Sequence, residues 1–567
     1  MENKNLNIRT LLYSMPTYRL FYIFLATIII AISLLGIVIT FTNNYTTLIP
    51  ASGGIYKVAS INNVRYMDPI FANNDTEIAI SKLVYSGLLK KSGKEYTYDI
   101  ADTITRSADG LGINIKLKNA KFSDASNITS SDVAYTIELI QDSLINSPRH
   151  KDWKNIEVII IDGGNLTLKL KSSVNNIEEV LTQGIIKKSE WVTLPRGSLS
   201  LSNLNINAIG SGPYKLRNTI EQNKILNEID LAINNNYKTI NTLPYIQNII
   251  FKIFSDKSNI YNEIKRGELY TTLGIDPSEL APILKSNGNI KIISAKMHRS
   301  FGLFFNPNND KNLADISYRS DLRNSIKIDK IIKDVLNNYG NKASYIYNKN
   351  YDNPIANTYI MSKSNYENRK IDIYTVNNPD LIKVANMIKE DWAKIGIDAQ
   401  IKTSELGEFH QDVVKNRNFS VLLFAVDTYD NNDIYNLWHS SGRAYPGSNI
   451  TNYYSLTLDN NLENLMAISN TEQISDKEDS QNLTKQNEQT LYESINDELY
   501  RNVAWVPLYN PYMIFTSDKN LKINNITHIY NTYEFLEGLN DAYINTEKVY
   551  TIFSKDKIYK KISDFVH

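Results

Sequence analysis

An α/β architecture with more than one lobe is what the residue pattern of this chain predicts. Three observations lead there. At 567 residues the chain exceeds what one hydrophobic core normally serves, so two or three lobes are expected. Between Ile113 and Leu144 a strand, a polar turn and a capped helix follow one another. Between Ile371 and Val426 the pattern reads strand, helix, strand, helix, strand, which implies right-handed crossovers and largely parallel strands.

The elements can be justified in chain order. From Leu20 to Thr42 no residue is charged and almost all are apolar. About 23 residues at about 1.5 Å rise would span about 34 Å, enough for a hydrocarbon core of about 30 Å. Lys4, Arg9 and Arg19 precede this run and the next basic residue is Lys57. The positive-inside rule then keeps residues 1–19 in the cytoplasm and exports the rest of the chain. A cleaved secretory signal would have a shorter apolar core and a better small-residue site than Pro50-Ala51-Ser52. The expectation is therefore an uncleaved, single-pass signal anchor at 20–42, a cell-membrane location and an extracytoplasmic domain beyond a tether at 43–52. Ile55 to Ala59 reads as the first strand.

Ile113, Ile115 and Leu117 alternate with Asn114, Lys116 and Lys118, a strand with one wet face. Thr129-Ser-Ser-Asp132 fits a capping box, and Val133, Ile137, Ile140 and Leu144 fall on one helical face. In the second half, Ile371 to Val376 reads as a strand. Leu381, Val384, Ala385, Ile388, Trp392 and Ile395 form one face of a helix ended by Gly396. Ile397, Ala399 and Ile401 alternate, Leu406 to Val414 is helical, and Phe419 to Val426 is apolar enough for burial on both faces. In open α/β sheets ligands sit beyond the carboxyl ends of the strands, and Asp427 stands at that end of the most apolar one.

Composition excludes several functions. Lys plus Arg equals Asp plus Glu at 61 each, which leaves no basic face for nucleic acid. With no cysteine there are no disulfides, thiolate metal sites or cysteine nucleophiles. The sequence carries no Gly-x-Ser-x-Gly, His-Glu-x-x-His or phosphate-binding Gly-Lys-Ser/Thr motif, and its six histidines lack metal-ligand spacing. An enzyme, a metal site and a cofactor are not expected.

Several phrases occur in a telling order. They are Met67-Asp-Pro69, Val84-Tyr-Ser-Gly-Leu-Leu89, Lys121-Phe-Ser-Asp124 with Ile128-Thr-Ser-Ser-Asp-Val133, and Gly210-Ser-Gly-Pro-Tyr-Lys-Leu216. Leu322-Arg-Asn-Ser-Ile326, Gly396-Ile397 and Ala504-Trp-Val-Pro-Leu-Tyr509 follow. From about Gly54 onward the chain resembles the family 5 extracellular solute-binding proteins, the oligopeptide-, dipeptide- and nickel-binding receptors of ABC importers. It departs from them in lacking the lipid-modified cysteine, and Ala125 stands where the family's "FHDG" has glycine.

The resemblance implies an α/β, periplasmic binding protein-like type II (cluster C) two-lobed fold with an extra subdomain, to which the N-terminal transmembrane helix is added. Lobe I would take 53–88, 195–299 and 519–567, the inserted subdomain 89–194, and lobe II 300–518. It further implies a monomer that captures peptides and delivers them to ABC permease subunits. In such relatives an Asp after the last strand pairs with the peptide's α-ammonium, and Asp427 matches it best, with Asp430 as an alternative partner. Phe424, Ala425 and Val426 would supply a strand edge to the peptide backbone. Tyr429 and Trp438 would line side-chain pockets, although Trp438 fits a core position equally well. The other readings are a sensor or scaffold that kept the fold without import, and a binder of a non-peptide solute.

Overall fold

The computed structural model describes residues 17–550 except 62, 93–94, 108, 161, 163, 172–176, 223–224, 238–242, 270, 273, 276–289, 347–365, 368, 428–430, 446, 472–477, 524–527, 530 and 541. The chain divides into two units, one of residues 1–54 with 543–567 and one of residues 55–542. In the first, helix α1 (Thr17–Tyr45) leads into strand β1 (Thr46–Ala51), which pairs antiparallel with the last strand, β21 (Asn545–Tyr550). The described side chains of α1, those of residues 21–37, 39 and 40, are all exposed. Among the described residues no helix is long and apolar enough to cross a membrane.

The larger unit opens with β2 (Ile55–Ser60) and α2 (Asp75–Val84). Asn74 caps α2 by accepting from the amides of Thr76 and Glu77 at 3.1 and 3.0 Å. A ribbon of β3 (Leu89–Ser92) and β4 (Glu95–Tyr98) follows. Next comes a four-stranded antiparallel sheet of β5 (Ala101–Arg106), β6 (Gly112–Leu117), β7 (Ile156–Ile160) and β8 (Asn165–Leu170), in the order β5-β6-β8-β7. Strand β6 buries Ile113, Ile115 and Leu117 and exposes the residues between, as its alternation required. Helix α3 (Ser130–Gln141) buries Val133, Ile137 and Ile140. Its cap rests on Asp132, whose carboxylate accepts from the amide and hydroxyl of Thr129 at 2.8 and 2.7 Å. Leu144 lies beyond the helix end and is exposed.

A second sheet has the order β12-β2-β11-β10-β9, with β9 (Tyr214–Gln222), β10 (Ile225–Ile233), β11 (Asn248–Ile253) and β12 (Thr271–Thr272). Here β2 runs parallel to β11 and β12, while β9 and β10 form a hairpin. Helix α4 (Lys257–Arg266) packs Ile260 and Ile264 with Ala59 and Ile514 in a small core.

The sequence phrases of the first half meet one another. The Gly212 amide donates to the Val84 carbonyl at 2.7 Å, Ser86 bonds Ser211 through both amide and hydroxyl, and the Ser123 amide donates to the Gly210 carbonyl at 2.8 Å. A Cβ on Gly210 would stand 2.0 Å from the Val84 carbonyl oxygen. Glycine is required there because two backbones touch.

The largest sheet lies in the second half. Its strands are β13 (Ile290–Met297), β14 (Arg299–Phe305), β15 (Gly340–Lys342), β16 (Arg369–Val376), β17 (Ile397–Ser404), β18 (Val421–Asp427), β19 (Trp505–Asp518) and β20 (His528–Ile529). The order is β17-β16-β18-β14-β19-β13-β20, with β15 also on β19. Strands β16, β17 and β18 are parallel, as the alternation of strand and helix predicts. The sheet as a whole is nevertheless mixed, because β14 runs antiparallel to β18. That strand continues from β13 with only His298 between, and the pair runs antiparallel to the whole of β19. Pro507 is tolerated inside β19 because the ladder slips at a bulge beside it.

Both faces of this sheet are covered, which is why Val421 to Val426 reads as an unbroken apolar run. One face packs Val421 and Leu423 with α5 (Ile316–Asn324), α6 (Ile328–Leu336) and α7 (Pro379–Ala393). The other packs Leu422, Phe424 and Val426 with α8 (Asn431–Trp438), α9 (Leu456–Thr471) and α10 (Glu478–Arg501). Helix α7 ends at Gly396, whose φ of +81° only glycine adopts at little cost. Residues Leu406 to Val414 form one short α-turn and then a π-helical stretch, Phe409–Val414.

Candidate functional site

The carboxyl end of β18 carries the features a ligand site needs. Its first half is held on both sides, but the parallel ladder with β16 ends at Tyr374 opposite Leu422. Beyond that point β14 is the one partner strand among the described residues, pairing Phe424 with Gly302, Ala425 with Phe301 and Val426 with Ser300. The Thr375 hydroxyl donates to the Leu423 carbonyl at 3.0 Å, so the polar backbone groups of Leu423 face β16. In an antiparallel strand those groups alternate sides. Ala425 therefore turns its N–H and C=O the same way as Leu423, toward a side where, among the described residues, no strand residue is paired with it. The edge expected at Phe424 to Val426 is centred on Ala425, while its two neighbours bond to β14.

Asp427 ends the strand, directly across from Arg299. The guanidinium grips the carboxylate through two bonds, Nε to Oδ1 at 2.7 Å and a terminal nitrogen to Oδ2 at 2.9 Å. Both side chains are about two-fifths exposed, 43% for Arg299 and 40% for Asp427. The Arg299 carbonyl and the Ser300 hydroxyl are in turn held by the Asn510 amide of β19, at 2.8 and 2.7 Å.

Beside Asp427 opens a pocket of about 280 Å³. Phe424 and Val426 form one wall, Val414, Leu437 and Ile450 add apolar surface, and His410, Lys415, Arg417 and Tyr445 add polar groups. Lys415 sits over the Tyr445 ring, 5.3 Å from its centre. Burial lowers the proton affinity of the Arg417 guanidinium below the ordinary arginine value.

The expected site residues thus divide. Phe424, Val426 and Asp427 come together on the pocket, and Ala425 faces the open side of the strand. Trp438, expected as a candidate wall, stands in the core instead, 2% exposed and 5.9 Å from the Trp505 ring. The turn of α8 gives the wall position to Leu437. Tyr429 and Asp430 lie outside the described residues. Arg299, Thr375, Lys415 and Arg417 escaped the sequence reading. The one signal for Arg299 was a charged residue opening the apolar strand Ser300 to Phe305.

The strand order and the crossing strands define an α/β fold built on more than one sheet. The family model described as "Bacterial extracellular solute-binding proteins, family 5 Middle" matches residues 95–446, and the chain belongs to that family. Among curated proteins, the dipeptide-binding protein of Escherichia coli (strain K12) is 25% identical over 272 residues, 44% of this chain and 49% of that protein. The di/tripeptide-binding protein 1 of Pseudomonas aeruginosa (strain UCBPP-PA14) is 24% identical over 263 residues, 42% and 48% respectively. The chain spans about half the length of these relatives. Of solved structures, the ABC transporter substrate binding protein CtaP from Listeria monocytogenes superposes with a TM-score of 0.68 at 19% identity, covering 87% of this chain and 99% of its own. The oligopeptide-binding protein AppA from Bacillus subtilis, in complex with a nonapeptide, gives 0.59 at 20% identity, covering 88% and 100%. At such identities these structures carry the fold alone.

Proposed function

We propose that this chain is a membrane-anchored, extracytoplasmic receptor that captures extended peptides at the end of β18 and hands them to an ABC import permease, without catalysing a reaction on them. The observation that carries this reading is the open side of Ala425 next to the Asp427 carboxylate. A peptide strand laid there gains backbone hydrogen bonds that ignore side-chain identity. Its leading ammonium fixes the register against Asp427 through a charge-assisted bond. Closure of the first lobe over the site would exclude water and present one shape to the permease. The names of the two curated relatives, a dipeptide-binding and a di/tripeptide-binding protein, support the peptide ligand. The uncharged run from Leu20 to Thr42 supports the anchor, with a cytoplasmic N-terminus.

Titration calorimetry of the full chain with short peptides tests the reading. Asp427→Ala strands the ligand's ammonium in a closed cleft, a cost of about 3–5 kcal/mol, so affinity is expected to fall at least about a hundredfold. A folded variant that binds peptides as the unaltered chain does overturns the assignment of Asp427.

A further inference from the structure

The pocket beside Asp427 has more positive charge on its walls than its own acid can balance. Lys415 and Arg417 line it, and Asp427 is the one carboxylate among the described lining residues. That carboxylate is already gripped by Arg299.

Arg417 is held in an unusual way. Its two terminal nitrogens donate to the carbonyls of Val414 and Gly447 at 2.9 and 2.6 Å. Among the described residues its buried Nε has no hydrogen-bond partner, and the side chain forms no ion pair. The backbone at Arg417 takes a φ of +55°, a left-handed conformation that a branched or long side chain adopts at a cost. Asn306 and Asn309 fix that conformation by donating to the Arg417 carbonyl at 2.8 and 3.2 Å. The guanidinium is half-buried, and no counter-charge among the described residues offsets that burial. Lys415 brings a second cation to the same pocket. The remaining surface, from Val414, Phe424, Val426, Leu437 and Ile450, is apolar.

Apolar walls with two cations among them suit a side chain with a methylene stem and an anionic tip. We infer that this pocket is a side-chain subsite selecting an acidic residue, glutamate or aspartate, near the leading end of the bound peptide, with Arg417 and Lys415 as its carboxylate partners. The inference rests on the peptide-receptor reading above and adds a preference to it. Backbone capture at Ala425 accepts any peptide, and this pocket ranks them.

The test is titration calorimetry of the full chain in detergent micelles with six tripeptides. Three carry Glu, Gln or Lys first with two alanines after it, and three carry the same residues between alanines. The expected result, at one of the two positions, is Glu about tenfold tighter than Gln, with Lys weakest, as a charge-assisted pair requires. Arg417→Met and Lys415→Met should each pull the Glu-to-Gln ratio toward one. If Arg417→Met does not fold, Lys415→Met, at a half-buried and locally unstrained position, decides alone. Equal affinities for Glu and Gln at both positions, or a ratio that survives the substitutions, overturn the subsite while leaving the peptide receptor standing. Failure of all six peptides to bind overturns both.

Discussion

Arg299 and Asp427 face each other across two antiparallel strands, and their exposure decides what the pair contributes. Ion pairs this open to water contribute about 0.2–1 kcal/mol. A peptide ammonium that takes over Asp427 therefore has little to displace. Arg299→Met removes the competitor and is expected to tighten peptide binding by up to about fivefold, read by calorimetry. Weaker binding would instead mean that Arg299 itself contacts the ligand. Asp68 presents the opposite situation. It is fully buried, its Oδ1 accepts from the amides of Ile70 and Phe71 at 2.9 and 3.0 Å, and its Oδ2 has no partner among the described residues. Burial pushes its carboxyl up to about 7. Because the folded value lies above the unfolded one, the stabilisation is complete below about pH 4 and is lost as pH rises toward 7. Asp68→Asn keeps the acceptor without the charge. It should flatten the fall in denaturant midpoint between about pH 4 and 7; an unchanged slope would place its origin elsewhere.

At the scale of elements, periodicity was a reliable guide wherever burial was one-sided or complete. The alternation of β6, the buried face of α7 and its stop at Gly396 all follow from spacing alone. Local pattern could not tell that β14 would run against β18, since that depends on a partner more than a hundred residues away. It could not separate a wall residue from a core residue either. Trp438 and Leu437 are adjacent on one helix, and only the packing against Trp505 decides which faces the pocket. The position of Asp427 at the end of a strand was legible from the apolar run before it. The cations around it come from a loop and a distant strand and left no periodic trace. The turn at Ser123 to Ser126 shows a departure that the sequence did expose. Ala125, where the resembling family has glycine, takes a φ of +72° and is exposed. Ala125→Gly relieves that conformation and removes no packing. It is expected to stabilise the chain by about 0.5–1 kcal/mol in denaturant melts, and a destabilised variant would show that the methyl group is used.

At the scale of the whole molecule, anchoring is the expectation with the largest consequence. A span at 20–42 lying in lipid should hold the chain in the membrane pellet through an alkaline carbonate wash. Lysines at Ile29, Ile30 and Leu34 carry a cost of about 2.5–3.5 kcal/mol each at a bilayer centre and should release it. Recovery of the unaltered chain in the wash would refute the anchor.

The ribbon formed by β13, β14 and β19 passes through the middle of the largest sheet, and Ile514 on it also bridges to Ile275, three residues past β12 of the smaller sheet. Separating the two sheets would break no strand of either one, yet it would uncover the small core that Ile514 shares with Ala59, Ile260 and Ile264. Dissection of this chain is therefore cleaner by single side chains, with that shared core left covered.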